Sequence, residues 1–411
     1  MGRFNALVLV LLLLLAAVLL PGGCDQGVEP SHVTPTTPIV RVLLLENCRQ
    51  AQFSATESPL IRIGAGPVHT LNFPSTASVP VVLDTTGWTI GTLRLPRGVL
   101  TINPTTEGSV RVNNLPYRGH YQLMPVGNDQ FDVVNEVDIE GYLKGVLARE
   151  LFSSWHEETY RAQAIVSRTY ALYESRMNGP GREFDLYCDQ RSQVYGGLSA
   201  ETAKSRDAVD ATHGIVLAYG PPGQERIFKA YFSSCCGGIT QSAADAFGDP
   251  ATPPLSEQLI GPRCNASPHF NWGPVVIAKT ELGRRVRAWA VEHNRPERTI
   301  GDVDRLDIQF QNRFGRPVRF VLTDTHGVRF SMSGEDFRQA FNTQPGAGPT
   351  IFSSFFKPVN EPTDIRLIDG HGFGHGVGFC QWCAEAEAWQ GIRHEIIATS
   401  AYPGSRLVRP Y

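Results

Sequence analysis

The chain has little net charge and only one long apolar run. Its formal net charge is −3 and charged residues make up 19% of its 411 residues, so nothing in the charge balance points to a nucleic-acid partner. After residues 6–20 no apolar stretch is long enough to span a bilayer. With 42% hydrophobic residues, 40 Gly and 29 Pro, the composition favours a loop-rich α+β protein of two or more subdomains over a helical bundle.

The apolar run at residues 6–20 is typical of an export signal. Arg3 precedes residues 6–20, and Pro-Gly-Gly-Cys ends at Cys24, so residues 1–24 combine a basic start, an apolar middle and small residues before a cut site. This ending resembles a bacterial lipoprotein signal, in which Cys24 would be lipidated; an ordinary cleaved signal or an uncleaved anchor is the alternative. Residues 25–38, rich in Pro and Thr, would form a tether. We expect an extracytoplasmic protein of the cell envelope, lipid-anchored to a membrane.

The cysteine content allows two interpretations. In an exported protein, disulfides are the first expectation, although the odd count leaves one thiol over. Adjacent Cys235 and Cys236 and the Cys-Gln-Trp-Cys pair could, with Cys264, instead supply thiolates to a structural zinc; the candidate ligands are Cys236, Cys264, Cys380 and Cys383. The seven cysteines after Cys24 are Cys48, Cys188, Cys235, Cys236, Cys264, Cys380 and Cys383.

Short β-type runs alternate with turns before the first helical pattern. A strand is expected at residues 38–45 and another along residues 88–95. This predicts a β-rich part (39–132), a core with two helices (133–274), an inserted α/β lobe (275–358) and a closing Gly-rich part (359–411). In the lobe we expect a helix near residues 281–292 and strands near Leu306 and Val318.

A carboxylate ends the apolar stripe of the first helix. Asp138 is a plausible N-cap, and the stripe of Leu143, Val146 and Leu147 leads, one turn later, to Glu150. A glutamate in apolar surroundings loses hydration, which raises its pKa and suits it to act as a general acid. The alternative is that Glu150 points into solvent from the helix end.

The second helix carries a cation beside its buried face. Ser154 and Glu157 have the spacing of a capping box. Arg168 borders the stripe that includes Ile165 and Leu172. Since a buried guanidinium needs a partner, Glu150 on the neighbouring helix is the expected one, with a purely structural ion pair as the alternative.

The closing segment GHGFGHGVG (residues 370–378) alternates glycine with other residues. Such a pattern disfavours a helix, so His371 and His375 should share one face of an extended chain while bare backbone approaches a neighbour on the other. A zinc hydrolase using these two histidines is a third functional class, although no Glu follows either of them in metalloprotease fashion.

Five segments, in this order, resemble the SpoIID/LytB family across roughly residues 102–404. They read YLKGVLARE (142–150), SWHEETYRAQAIVSRTYA (154–171), QVYGG (193–197), YFSSCCGGIT (231–240) and GHGFGHGVG (370–378). The resemblance implies a SpoIID-like fold and a peptidoglycan lytic transglycosylase that prefers glycan strands stripped of stem peptides. It places the family's catalytic glutamate on Glu150 and a second catalytic position on Arg168.

The resemblance also implies substrate contacts and a possible metal. Gln193, Tyr195, His371, His375 and Gln381 would line the substrate groove; the alternatives are that Tyr195 and Gln193 form the core of a turn and that His375 is a core histidine. No cofactor would be needed for catalysis, but some relatives bind zinc through Cys and His around the Ser-Ser…Gly-Gly turn, which favours Cys236 as a ligand. The family usually has Met and Pro where this chain has Leu151 and Phe152, and small residues where it has Cys380 and Cys383.

The expected reaction needs one carboxyl group. Protonated Glu150 would donate to the oxygen between N-acetylmuramic acid and N-acetylglucosamine, and then accept the proton of the C6 hydroxyl as an anhydro ring closes. Asp189 and Glu174 are possible second carboxylates for a hydrolase. The competing class is a non-catalytic peptidoglycan-binding enhancer of a cell-wall amidase.

Overall fold

The computed structural model describes residues 36–71, 78–105, 109–178, 181–343 and 348–411. The predicted signal, Cys24 and residues 25–35 of the tether lie outside these residues. Among the described residues, no helix has both the length and the apolar character needed to cross a membrane. The fold is α+β, as expected.

Between Ile39 and Asp138, the regular secondary structure of the described residues consists of β-strands alone. Buried residues alternate along them, as in β11, where Tyr121 and Leu123 point into the core. The expected single strand at 88–95 is wrong: Gly91, at φ 58°, turns the chain between β6 and β7. The strands are β1 Ile39–Cys48, β2 Gln50–Ala55, β3 Leu60–Ile63, β4 Val68–Thr70, β5 Val79–Asp84, β6 Gly87–Ile90, β7 Leu93–Leu95, β8 Leu100–Asn103, β9 Val110–Val112, β10 Leu115–Tyr117, β11 His120–Val126 and β12 Gln130–Asp138.

Two helices follow β12 directly. Helix α1 spans Ile139–Glu150, and the Asp138 side chain caps it by accepting from the Gly141 N–H at 2.8 Å, which confirms the predicted N-cap. Helix α2 spans Glu157–Asn178. The expected capping box at Ser154 is wrong, because His156 precedes the helix and its Nδ1 accepts from the Glu158 N–H at 3.1 Å.

The chain then continues through short elements, most of which complete the first core, the apolar cluster that the two large sheets form with α1 and α2. They are β13 Leu186–Tyr187, α3 Ala203–Ala211, β14 Val216–Tyr219, β15 Arg226–Ile227, β16 Phe232–Ser233, α4 Ala243–Phe247 and β17 Asn271–Trp272. Strand β13 joins a seven-stranded sheet of order β13-β1-β12-β11-β8-β3-β4, and a six-stranded sheet has the order β10-β9-β2-β5-β6-β7. One apolar cluster runs from these sheets into α1 and α2, so the helices rest on the sheets.

A second apolar core lies between Trp272 and Leu367. Its helices α5 and α6 pack on a three-stranded sheet of order β19-β20-β21. The helix and the two strands expected here are confirmed. The elements are β18 Val275–Ala278, α5 Lys279–Glu292, β19 Val303–Gln311, β20 Pro317–Asp324, β21 Arg329–Ser333, α6 Gly334–Asn342, β22 Lys357–Asn360 and β23 Asp364–Ile368.

The Gly-rich segment returns to the first core. Its close approach to neighbours is as expected, since a Cβ on Gly376 would overlap the guanidinium of Arg316. The expectation of a regular extended strand is wrong. The glycines that occupy every second position, including Gly372 and Gly374, have positive φ, so the backbone turns repeatedly. The last elements are β24 Gly370–His371, β25 Phe379–Cys380, α7 Gln381–Trp389, α8 His394–Ser400 and β26 Ser405–Val408.

Candidate active site and metal centre

A cleft of about 680 Å³ opens beside the C-terminal end of α1. Its wall combines the end of α1, the turn at residues 190–194, the strand region 229–234 and the Gly-rich residues 373–375. Helix α6 adds Glu335, Arg338 and Gln339, so the second core supplies part of the wall. Exposed ring faces of Phe247 and Phe373 also line it. Concave walls with aromatic faces and a few polar groups are typical of ligand sites.

Glu150 lies in this cleft and faces no ion-pair partner among the described residues. Burial raises the pKa of Glu150, while hydrogen bonding from the Val194 N–H and the Gln381 side chain opposes the rise. The Val194 N–H lies 2.9 Å from Oε1. Gln381 contributes from the first turn of α7, although its Nε2 makes no well-formed hydrogen bond. Glu150 is therefore a half-buried carboxyl group whose pKa lies above that of a free glutamate.

Arg168 does not pair with Glu150, which corrects the expected contact. Its Nε and Nη2 donate to the two carboxylate oxygens of Glu140 at 2.9 and 2.7 Å. Arg168 is fully buried and also donates to the Ile215 carbonyl at 3.1 Å. A side chain held this way cannot reach a substrate, so Arg168 stabilises the packing of α1 on α2.

Gln193 and Tyr195 are buried core residues rather than groove residues. Gln193 donates to the Ser167 carbonyl at 3.2 Å, and Tyr195 packs on Tyr142 with ring centroids 4.9 Å apart. Gly145 lets the turn approach α1 this closely, because a Cβ there would stand 2.7 Å from the Tyr195 ring. Their effect on the site is indirect: they place the backbone N–H of Val194 against Glu150.

His371 and His375 do not form a pair. His375 lines the cleft, and its Nδ1 accepts from the Val377 N–H at 3.0 Å. Burial lowers the pKa of His375 to about 4, against the opposing charge of Glu335. His371 instead packs between Phe270 and Phe355, outside the cleft wall. Among the described residues neither histidine belongs to a group of three or more side chains that could hold a metal.

The carboxylate that shares the cleft with Glu150 is Glu335. It is buried at the start of α6 and pairs with Arg338 at 2.5 Å. Despite burial, the charge and hydrogen bonds of Arg338 lower the pKa of Glu335. Neither Glu174, 3.1 Å from Lys229, nor Asp189, 2.9 Å from Arg191, is part of the wall. Glu335 lies 185 residues beyond Glu150 in the numbering, and no sequence spacing pointed to it.

Four buried cysteines meet behind the cleft wall. The sulfur atoms of Cys236, Cys264, Cys380 and Cys383 all lie within 4.8 Å of one another. Cys236 Sγ is 3.6 Å from Cys264 Sγ and 3.8 Å from Cys383 Sγ. A disulfide needs about 2.05 Å, so the disulfide alternative is not what the structure shows, and all seven described cysteines are free thiols.

A buried arginine joins this cysteine cluster to the cleft. Arg316 donates to the carbonyls of Cys236 at 3.1 Å and Ile239 at 2.7 Å from one nitrogen, and to that of His375 at 3.1 Å from another. Its fit depends on Gly376, which has no Cβ to displace it. The cluster and the His375 loop are thus held in one arrangement by a single side chain from the second core.

Comparison with known proteins connects these features to one family. The family described as SpoIID, Stage II sporulation protein, matches residues 127–219. Stage II sporulation protein D of Bacillus subtilis is 26% identical over 302 residues, covering 69% of this chain and 78% of the relative. These matches support the assignment of the chain to the SpoIID/LytB family.

Two further relatives extend the match. An uncharacterized protein of Brachyspira hyodysenteriae is 29% identical over 305 residues, which is 74% of this chain and 75% of the relative. The amidase enhancer of B. subtilis is 24% identical over 299 residues, covering 64% of this chain but only 40% of the relative. This chain thus corresponds to less than half of that longer SpoIID/LytB protein.

The SpoIID match and the site overlap only in part. Residues 127–219 include Glu150, the Glu140–Arg168 pair and Val194. The cysteine cluster and the wall formed by α6 lie beyond that match. Of the two residues that differ from the family pattern after Glu150, Leu151 is buried, whereas Phe152 is 60% exposed and packs edge-on against Trp155.

Proposed function

We propose that this SpoIID/LytB protein is a lytic transglycosylase that cleaves the bond between N-acetylmuramic acid and N-acetylglucosamine in glycan strands. The family supports a role related to the cell wall. The single observation that carries the proposal is the environment of Glu150, a carboxyl group in a cleft whose burial raises its pKa and which has no cationic partner among the described residues.

The reaction uses Glu150 twice. Its protonated carboxyl group donates to the glycosidic oxygen as the bond to the muramic acid anomeric carbon breaks, which builds oxocarbenium character there. The resulting carboxylate accepts the proton of the C6 hydroxyl, whose oxygen closes on the anomeric carbon. Glu150 ends protonated again, no water is consumed, and the product is an anhydromuramic end. The Val194 N–H is positioned to stabilise the ionised intermediate state of Glu150.

The test compares Glu150→Gln with the parent protein on purified denuded glycan. The amide keeps the shape of Glu150 but cannot transfer the proton, so soluble fragments should fall by at least about a hundredfold. Circular dichroism would check that the variant is folded. Release of fragments at the parent rate would contradict the proposal.

A non-catalytic role is the second candidate, because one relative carries the name amidase enhancer. That role predicts an intact glycan and stimulation of a cell-wall amidase that survives Glu150→Gln. Measuring amidase turnover with both proteins separates the candidates, since an enzyme that acts only by cutting glycan would lose its stimulation with the substitution.

We also propose that Cys236, Cys264, Cys380 and Cys383 hold a structural zinc ion. Four thiolates about 2.3 Å from a tetrahedral zinc lie about 3.8 Å apart, close to the observed 3.6 and 3.8 Å. The Cys236 N–H donates to Cys380 Sγ at 3.3 Å, which suits a thiolate acceptor. Such a centre carries two net negative charges, and the guanidinium of Arg316 lies beside it.

Metal analysis of the purified protein tests this centre. One zinc per chain is expected for the parent and for Cys48→Ser, which changes a cysteine outside the cluster, whereas Cys264→Ser should lower the content and the melting temperature. Intact mass measured without reductant would reveal disulfides among the four cysteines. Disulfides, or a metal-free parent protein, would contradict the zinc centre.

We propose further that the protein is exported and lipid-anchored through Cys24. The support is the basic, apolar and small-residue pattern of residues 1–24. Labelled fatty acid should enter the parent protein in a bacterial host and not the Cys24→Ala variant. Label in both proteins would exclude Cys24 as the lipidated residue.

A further inference from the structure

Four cationic side chains line the cleft, and three of them are held by carboxylates. Arg191 pairs with Asp189 and Glu46, each at 2.9 Å. Lys229 pairs with Glu174 at 3.1 Å, and Arg338 pairs with Glu335 at 2.5 Å. The charges of these three are already compensated within the protein. The fourth cation is Arg149.

Arg149 differs because its guanidinium has no hydrogen-bond or ion-pair partner in the described part of the chain. Its position is nevertheless defined: the aliphatic stem packs on Gly196, where a Cβ would stand 3.1 Å from Arg149 Cγ. Arg149 is exposed, lies in the last turn of α1 and directly precedes Glu150. The fold therefore presents an uncompensated cation to the cleft beside the proposed acid.

The charge of Arg149 does not stabilise the ionised form of Glu150. The groups that act on the Glu150 carboxyl are the Val194 N–H and the Gln381 side chain, and burial outweighs both of them. An arginine that neutralised Glu150 would instead stabilise its ionised form. The guanidinium of Arg149 is therefore available to bind a charged group of the ligand.

We propose that Arg149 binds the lactyl carboxylate of the muramic acid unit in the cleft. The inference rests on the proposed function, because it takes the glycan strand as the ligand. In a strand that carries stem peptides, this carboxyl group is an amide without charge; in a denuded strand, it is a free carboxylate. A planar guanidinium binds a carboxylate through two parallel hydrogen bonds, so Arg149 makes the cleft selective for denuded strands.

The test measures binding in the Glu150→Gln background, so that no strand is cut. Arg149→Gln is added to it, and the matched control is Arg206→Gln, which removes an exposed arginine of α3 outside the cleft wall. Each protein is titrated with denuded glycan oligosaccharides and with the same oligosaccharides after amidation of their lactyl carboxylates. Arg149→Gln should weaken binding to the free-carboxylate form by about tenfold or more and leave binding to the amidated form unchanged.

Three results would overturn the assignment of Arg149. They are an equal loss on both forms, no loss on the free form, or the same loss with Arg206→Gln. Failure of the proposed function looks different: the parent protein leaves glycan intact, while selective binding that depends on Arg149 persists. Absence of binding to either form by the Glu150→Gln protein would contradict the Arg149 assignment, whatever the cleavage assay shows.

Discussion

Helix α1 carries two glutamates in opposite circumstances, one in each end turn. Glu140 is buried and accepts hydrogen bonds from Arg168, from the Gly214 N–H at 3.1 Å and from the Tyr411 hydroxyl at 2.8 Å. Glu150 is also removed from water, yet its carboxyl group receives one backbone N–H and forms no ion pair among the described residues. Burial acts to raise both pKa values, but Arg168 and the other donors reverse the effect and lower the pKa of Glu140.

The comparison shows that burial alone does not raise the pKa of a carboxyl group. A buried carboxylate with a full set of donors is a structural element, and its negative charge is part of the fold. One with few donors stays protonated at higher pH and can give up a proton to a ligand. The difference between the two glutamates can be measured in the stability of the fold and in the pH dependence of glycan cleavage.

Glu140→Gln should be the most damaging change to stability. It leaves the Arg168 guanidinium buried without an opposite charge, which costs about 3–5 kcal/mol of unfolding free energy. Glu150→Gln removes a carboxyl group that has no cationic partner, so its cost should stay within about 1 kcal/mol. Urea denaturation of the two variants measures both values; equal losses would contradict the division between Glu140 as a structural glutamate and Glu150 as the proposed acid.

Arg168→Lys should have an intermediate effect. The ammonium keeps the charge that Glu140 needs, but it loses the two parallel hydrogen bonds and the contact to the Ile215 carbonyl. We expect a loss of about 1–3 kcal/mol in unfolding free energy and no change in the pH dependence of glycan cleavage. A shift in that pH dependence would mean that Arg168 acts on Glu150 after all.

The two glutamates should affect the pH dependence of stability with opposite signs. Because its folded pKa is raised, Glu150 binds more protons in the folded chain, so its contribution to stability falls as pH rises from about 4.5 through that pKa. The pKa of Glu140 is lowered, so its contribution is present above about 4.5 and is lost as pH falls through the folded pKa. Subtracting each Gln variant's unfolding free energy from the parent's across pH isolates the two slopes; slopes of the same sign would contradict the assignment.

Gln381→Leu should give the smallest effect, visible only in the pH profile. The substitution removes a group that favours ionised Glu150, so the pKa of Glu150 should rise and the alkaline limit of cleavage should move to higher pH. Gln390→Leu changes the exposed C-cap of the same helix and serves as the control. An unchanged limit with Gln381→Leu would show that the amide does not reach the reacting carboxyl group.

The sequence pattern predicted those parts of the site whose residues lie on a single helix. The three-residue and four-residue spacing in α1 indicated that Glu150 follows a buried stripe, and the structure places it in a cleft wall. Asp138 as N-cap followed from the same local rules. The periodicity of α2 likewise indicated that Arg168 lies at its buried side.

Which residue pairs with Arg168 depends on how α1 and α2 pack. The apolar periodicity within a single helix does not determine that packing. In a pair of helices joined by a short connection, residues at equal distance from the connection meet. Glu140 lies ten residues before the end of α1, and Arg168 lies eleven after the start of α2. That count could have identified the pair from the sequence.

The remaining features depended on contacts between distant segments. Glu335 reaches the cleft from the second core, and the four clustered cysteines come from three separate segments of the chain. For Gln193 and Tyr195 the sequence left a turn core and a groove position open, and the packing of their turn on α1 decides for the core. The sequence had named these four cysteines as candidate ligands, and the structure places their sulfur atoms within 4.8 Å of one another.

The most direct test of the account is the chemical nature of the ends that the protein makes. Denuded glycan is digested in water labelled with heavy oxygen, with the parent, Glu150→Gln and Arg168→Lys proteins, and the fragments are analysed by mass spectrometry. The account predicts unlabelled anhydromuramic ends from the parent and from Arg168→Lys, and none from Glu150→Gln. Labelled reducing ends, or anhydromuramic ends produced by Glu150→Gln at the parent rate, would contradict it.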